Sequence, residues 1–246
     1  MTSPSVESPT KVLETLDEPI RERVRRYAHF VRQESGDNAV SLTLYGPIAA
    51  GAFVPARHTV RNILILEKMD LSLLDRLARV GPHFGRWRIS APLIMTHGSI
   101  QASLDTFPLE FLEIRQYHLV VFGIDCFEAV AFHEEHMRLQ CERELKTVLI
   151  GLRQGLLAAA GKEKLLGEIE VDIAESLVRS LRGLLWLRGH KHAKPTLQVI
   201  DEIERMTGRP LPGLRAGLDA WGRRGRGIFE ALYEDAESLW KMVNQW

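Results

Sequence analysis

The chain has 246 residues, 45% of them hydrophobic and 26% charged, and Lys plus Arg balances Asp plus Glu at 32 each. That balance excludes a whole-molecule field favouring nucleic acid or an anionic membrane, so any such affinity has to be local. Cys126 and Cys141 are too few for a disulfide framework and lack Cys-x-x-Cys spacing, and no apolar run approaches the ~20 residues that span a bilayer, which points to a cytoplasmic protein with no membrane partner.

Residues 1–17 open with MTSPSVESPT, which has neither the basic start nor the apolar stretch of a secretory signal and reads as a disordered tail. From Glu18 to Glu34 the apolar residues Ile20, Val24, Tyr27, Ala28 and Val31 recur at helical spacing with arginines between them, giving an amphipathic helix. Ala39–Tyr45 (AVSLTLY) and Asn62–Leu66 (NILIL) are short β-prone runs, and the intervening GPIAAGAFVPARHTV is loop-like in its glycines and prolines. Leu71–Val80 repeats leucine at helical spacing, and Pro92–Thr96 is strand-like. Two further strands are expected at PLEFLEI, which alternates in part, and at YHLVVFGID.

Past His133 the pattern becomes helical throughout, with stretches at His133–Ala159, Ile169–Leu187, Thr196–Met206, Leu214–Trp221 and Ile228–Trp246. The expected organisation is therefore α+β: a tail (1–17), a small mixed-sheet domain (18–132) and an all-α bundle (133–246).

The segment SLTLYGPIAAGAFVPARHTVRNILILE, Ser41–Glu67, resembles the signature of the nucleotidyltransferase superfamily, including its kanamycin-type and minimal members. The shared parts are the strand LTLY, the turn at Gly46, then Gly51, Phe53, Pro55 and the apolar strand NILIL. The resemblance implies a strand ending in a Gly-Ser turn, whose amides approach phosphates, followed by a strand carrying two alternating carboxylates. Side chains repeat on one face every second residue, so such a pair, with a third carboxylate from a neighbouring strand, holds the Mg ions that clamp a nucleoside triphosphate. The helical half is similar to the bundles that accompany this fold in kanamycin-type enzymes and in HEPN-like proteins.

This chain departs from that pattern where the chemistry lies. Without gaps from Gly46, the serine is Pro47 and the acidic pair falls on Thr59 and Arg61; shifted by one residue, the pair becomes Val60 and Asn62. No Asp or Glu occurs between Val40 and Leu66, whatever the register. Proline has no amide hydrogen, threonine is a weak uncharged ligand, and arginine sets a positive charge where a cation would bind. Glu110 or Glu113 of PLEFLEI resembles the family's later acid; three apart on a strand they face opposite sides, and Glu110 is favoured as a surviving carboxylate.

These features imply an inactive relative, with no metal or cofactor, serving as a binding or regulatory module for a phosphate-bearing small molecule or a protein partner through Gly46, Arg57, His58 and Arg61. An active enzyme using Mg and a nucleoside triphosphate, with Glu110, Glu113 or Asp105 in place of the missing acids, is the alternative. A third reading is an RNA-associated or toxin–antitoxin partner acting through Arg215, Arg223, Arg224 and Arg226, with Trp221 available to stack on a base. Self-association is compatible with all three. The His133-Glu134-Glu135-His136 and Gly189-His190-Lys191-His192 clusters have unsuitable spacing or too few ligands for zinc; the first reads as solvated polar residues near a helix N-terminus and the second as a polar inter-helix loop.

Overall fold

The computed structural model describes residues 13, 14, 16–219 and 226–244. The expected tail through residue 12 and the residues Trp221, Arg223, Arg224 and Trp246 lie outside them. Two compact units are present: residues up to Leu104 together with Glu113–Ala131, and Asp105–Leu112 together with Phe132 onward.

In the first unit, helix α1 (Glu18–Ser35) buries Val24, Tyr27, Ala28 and Val31, the stripe that the helical spacing marks. Strands β1 (Ala39–Tyr45), β2 (Arg61–Leu66), β3 (Leu93–Thr96) and β4 (His118–Gly123) form one sheet in the order β3-β2-β1-β4. β1 pairs antiparallel with β2 and β4, and β2 pairs parallel with β3. The sheet's α1-facing side carries Leu42, Leu44, Val60, Leu64 and Leu66, which join the helix in one core.

Helix α2 (Leu71–Arg86) is capped by Asp70, whose carboxylate accepts the Ser72 amide. It runs six residues past the expected end, through Pro82. Proline costs the bond to the preceding turn, but Phe84 beyond it packs edge-on to Tyr27 at 5.0 Å and against Phe30 at 5.3 Å, and that aromatic anchoring holds the last turn in place.

After the short helix α3 (His97–Gln101), PLEFLEI is not a strand. It is helix α4 (Pro108–Gln116), whose residues through Leu112 group with the helical unit and whose remainder groups with the sheet. Leu109, Phe111, Leu112 and Ile114 are all buried, a spacing that suits a helix surrounded on several sides and only partly imitates strand alternation.

The second unit contains α5 (Glu134–Ala159), α6 (Glu163–Leu187), α7 (Thr196–Thr207), α8 (Pro212–Asp219) and α9 (Arg226–Val243). Their shared core includes Leu145, Leu152, Leu177, Leu181, Ile200, Leu214 and Leu232. α6 begins six residues before the expected Ile169, because Leu166 and Glu170 already face inward. Glycines set the closest approaches: a Cβ on Gly213 would lie 2.2 Å from the Ala231 and Leu232 backbone. Among the described residues, no helix is long and apolar enough to cross a membrane.

Candidate functional site

The face of the sheet away from α1 carries the positions at which the family resemblance expects chemistry. Tyr45 lies opposite Arg61 on β2 and opposite His118 on β4, so these three side chains form one row across three strands. Val60 and Asn62 have the other parity. Val60 is in the α1-facing core, and Asn62, 1% exposed, accepts the Tyr27 hydroxyl at 2.8 Å and donates to the Ser90 carbonyl at 2.9 Å. Val60 and Asn62 are therefore turned into the α1-facing core, and Arg61 lies on the opposite face of the sheet.

The turn after β1 has the expected position and a different chemistry. Gly46 adopts φ +75°, which glycine allows without strain, and Gly46–Ile48 closes a single 3₁₀ turn. Four of its amides are already engaged. The Gly46 amide donates to Tyr117 O at 3.1 Å, those of Ala49 and Ala50 both donate to Gly46 O, that of Ala52 donates to Pro47 O, and Pro47 has none. The Gly46 amide, expected to face a phosphate, thus donates within the chain, and the glycine also supplies room. The Arg61 Cδ would lie 3.8 Å from a Cβ there, so the arginine side chain passes over the glycine.

Arg57 and His58 are half-buried in the loop that runs into Thr59 and Arg61. The Val54 amide donates to His58 Nδ1 at 3.0 Å, so that nitrogen serves as an acceptor and the other carries the ring proton. The positive charge of the segment is accordingly carried by Arg57 and Arg61.

The carboxylate that the row does contain is Asp125, which the sequence reading passed over as the residue closing β4. His118 Nε2 donates to Asp125 Oδ2 at 2.9 Å, and His118 Nδ1 faces the Ile114 and Arg115 carbonyls at 3.0 and 3.2 Å. Asp125 Oδ1 accepts the amides of Phe127 and Glu128 at 2.8 and 3.1 Å. Burial alone would raise this carboxyl; the His118 bond and the two amides outweigh it and hold it below its ordinary value. A His seven residues before an Asp across a glycine-containing strand end carries little signal in a single sequence, so only the folded turn reveals the pair.

Glu110 stands on α4, where its Oε2 accepts Gln140 Nε2 at 2.7 Å while Gln140 Oε1 accepts the Leu109 amide at 2.8 Å. It stands on a helix and groups with the helical unit, which corrects its expected place on a sheet strand. Glu113, three residues on, shares that helix, so the strand argument that sets the two on opposite sides does not apply. Asp105 is exposed and its Oδ1 accepts the Thr106 hydroxyl.

Among the described residues, no three His, Cys, Asp or Glu side chains converge to hold a metal ion. The donor set at the family position is a threonine and an arginine, and these do not fit a divalent cation.

In the basic cluster near the C-terminus, Arg215 has partners within the chain. Arg215 donates from NH2 to Asp201 Oδ1 and Glu204 Oε2, both at 2.6 Å, and these bonds push its guanidinium pKa further up. Arg226 opens α9, and Arg223 and Arg224 lie outside the described residues. In the second histidine cluster, His190 pairs with Glu202 at 3.0 Å and Lys191 lies 3.3 Å over the Trp186 ring, as in a polar inter-helix loop. Cys126 and Cys141 are buried, and burial pushes the Cys141 thiol up to about 12.

The fold is nucleotidyltransferase-like. No family model and no curated protein matches the sequence. Among solved structures, spectinomycin adenyltransferase AAD(9) from Enterococcus faecialis, with ATP and spectinomycin, is similar with a TM-score of 0.57 and 8% identity, covering 91% of this chain and 98% of that one. At that identity the likeness concerns the fold.

Proposed function

We propose that this chain is a nucleotidyltransferase-like protein without nucleotidyl-transfer activity, acting as a binding or regulatory module for a phosphate-bearing ligand. The observation that carries this reading is Arg61: it stands where the superfamily resemblance expects a metal-binding carboxylate, and its side chain passes over Gly46. A guanidinium there repels a divalent cation and attracts the anion that the cation would otherwise have bridged. The engagement of Asp125 with His118 and two amides, and of Glu110 with Gln140, supports the same reading, since neither carboxylate is left to assemble a metal site.

With the turn amides bonded internally, recognition falls to the side chains of Arg57 and Arg61, with His58 as a further polar neighbour. The test is a transfer assay with ATP, CTP, GTP and UTP and Mg or Mn, offering spectinomycin, other aminocyclitols and protein acceptors. No nucleotide transfer is expected. Robust turnover abolished by EDTA overturns the reading. In parallel, pyrophosphate or ATP without metal is expected to bind in calorimetry, with at least a tenfold loss in Arg61→Gln.

A further inference from the structure

The first unit contains a cavity of about 510 Å³ on the α1 side of the sheet. Its floor and walls come from Ile20 and Val24 of α1, Phe53 and Pro55 of the long loop, Val60, and the Trp87-Arg88-Ile89 turn after α2. Because Val60 has the opposite strand parity to Arg61, this cavity is separate from the row formed by Arg61, Tyr45 and His118. Its size suits a small organic ligand, and its lining is an apolar body with a few charged groups, the pattern of a small-molecule site.

The charged groups are Arg23 and Arg88, with Asp17 and Glu18 at the exposed rim. Glu18 is committed to Arg21, and Glu22, beside Arg23, is committed to Arg26 at 2.7 Å. Among the described residues, Arg88 Nε is buried without any hydrogen-bond partner. A desolvated guanidinium nitrogen with no acceptor is costly, and an anion in the cavity would offset that cost by its charge beside the same guanidinium.

The backbone at Arg88 points the same way. It holds φ +64°, a left-handed conformation that non-glycine residues adopt at a cost. Bonds on both sides fix it: the Val60 amide donates to Arg88 O at 2.6 Å, and the Ser90 amide donates to Val60 O at 3.1 Å. A glycine would satisfy this turn, yet the chain places a long cation there, beside a half-buried tryptophan.

We propose that this cavity is a binding site for a flat aromatic anion, a carboxylate or phosphate ester. Its ring rests against Trp87 and Phe53 among Ile20, Val24 and Ile89, and its anionic group is held by Arg88 and Arg23. The site is independent of the anion-binding row at Arg61.

The test is isothermal titration calorimetry on the full chain with 1-naphthyl phosphate, 1-naphthoate, the neutral 1-naphthalenemethanol and inorganic phosphate. One of the two aromatic anions is expected to bind at one site per chain, at least tenfold more tightly than the neutral alcohol and than inorganic phosphate. Arg88→Gly, which relieves the left-handed backbone and so keeps the fold, and Arg23→Gln, on an exposed helix face, are each expected to weaken that binding tenfold or more. Arg61→Gln is expected to leave it unchanged, which separates this site from the one proposed above. Absence of saturable binding by either aromatic anion at millimolar concentration overturns the proposal. So does binding that survives both Arg88→Gly and Arg23→Gln in chains with an unchanged circular dichroism spectrum, or binding that is lost with Arg61→Gln.

Discussion

Asn62 connects three elements around the Arg61 strand, and removing it gives a sharp test of how that strand is held. Its side chain accepts the Tyr27 hydroxyl of α1 at 2.8 Å and donates to Ser90 O, after α2, at 2.9 Å, with Asn62 1% and Tyr27 3% exposed. Asn62→Ala leaves a buried hydroxyl and a carbonyl unsatisfied, at about 1–3 kcal/mol each, so a loss of roughly 3–5 kcal/mol is expected. Tyr27→Phe leaves only the Asn62 carbonyl oxygen short of a donor, at about 1–2 kcal/mol. Tyr27→Phe with Asn62→Ala removes both partners of that bond and should cost at least 1 kcal/mol less than the sum of the two single changes, on the scale of about 0.5–3 kcal/mol seen for residues in contact. Burial pushes the Tyr27 hydroxyl far above its ordinary value, so it remains a donor in any ordinary buffer and the cycle does not depend on pH. Trp87 is the unit's single tryptophan, so urea unfolding followed by ¹⁹F signals of fluorotryptophan-labelled chain reports this unit apart from the helical one. Additive single and double changes, or an Asn62→Ala loss below about 0.5 kcal/mol, would refute the claim that this network fixes the strand.

Three other outcomes are expected. Glu170 is fully buried on α6, its oxygens have no hydrogen-bond partner among the described residues, and burial, only partly offset by the nearby Phe229 amide, pushes its carboxyl up to about 7. Its contribution to stability is therefore greatest below its unfolded value of 4.5 and is lost as pH rises through about 7; Glu170→Gln should flatten that slope in denaturation at pH 5 against pH 8, by roughly 2–3 kcal/mol. Asp235, which accepts the Leu214 amide at 2.8 Å and is raised by burial to about 6, acts in the same direction. Gly213→Ala would drive a methyl into the α9 backbone and is expected to destabilise by roughly 3 kcal/mol, whereas Gly85→Ala, with open space at its Cβ in the last turn of α2 and no proline after it, should stabilise by about 0.5–1 kcal/mol; thermal midpoints check both.

Much of the fold was legible in the sequence because burial there follows a regular period. The run Ala39–Tyr45 is a strand over its expected length, and the helical stretches after His133 appear within two residues of their expected bounds, apart from the earlier start of α6 and the ends at Trp221 and Trp246, which lie outside the described residues. The exceptions have local causes. PLEFLEI alternates only in part, and four buried apolar residues on a short helix resemble a strand in one dimension. Gly81-Pro82 reads as a stop until Phe84 is seen against Tyr27. The site was legible in what it lacks, since the missing carboxylates are a property of composition between Val40 and Leu66. What replaces them was not: the closed amides of the Gly46 turn, the His118–Asp125 pair and the core-facing role of Asn62 all depend on hydrogen bonds that no spacing announces.

The two faces of the sheet divide the residues that pack against α1 from the position at which the resemblance expects a carboxylate. Leu42, Leu44, Val60, Leu64 and Leu66 bind the sheet to α1 on one side, and strand parity places Thr59 and Arg61 on the other. A substitution at Arg61 therefore alters the charge of the site without opening the α1-facing core, and the apolar residues on which folding depends place no demand on what that position carries. The exchange also has a direction. A neutral residue in place of a carboxylate would abolish metal binding and leave nothing else, whereas a guanidinium over Gly46 gives the same position affinity for an anion. On the function proposed above, the chemistry at that position is reversed in sign, and a phosphate-bearing ligand without its metal is the partner that the reversal suits.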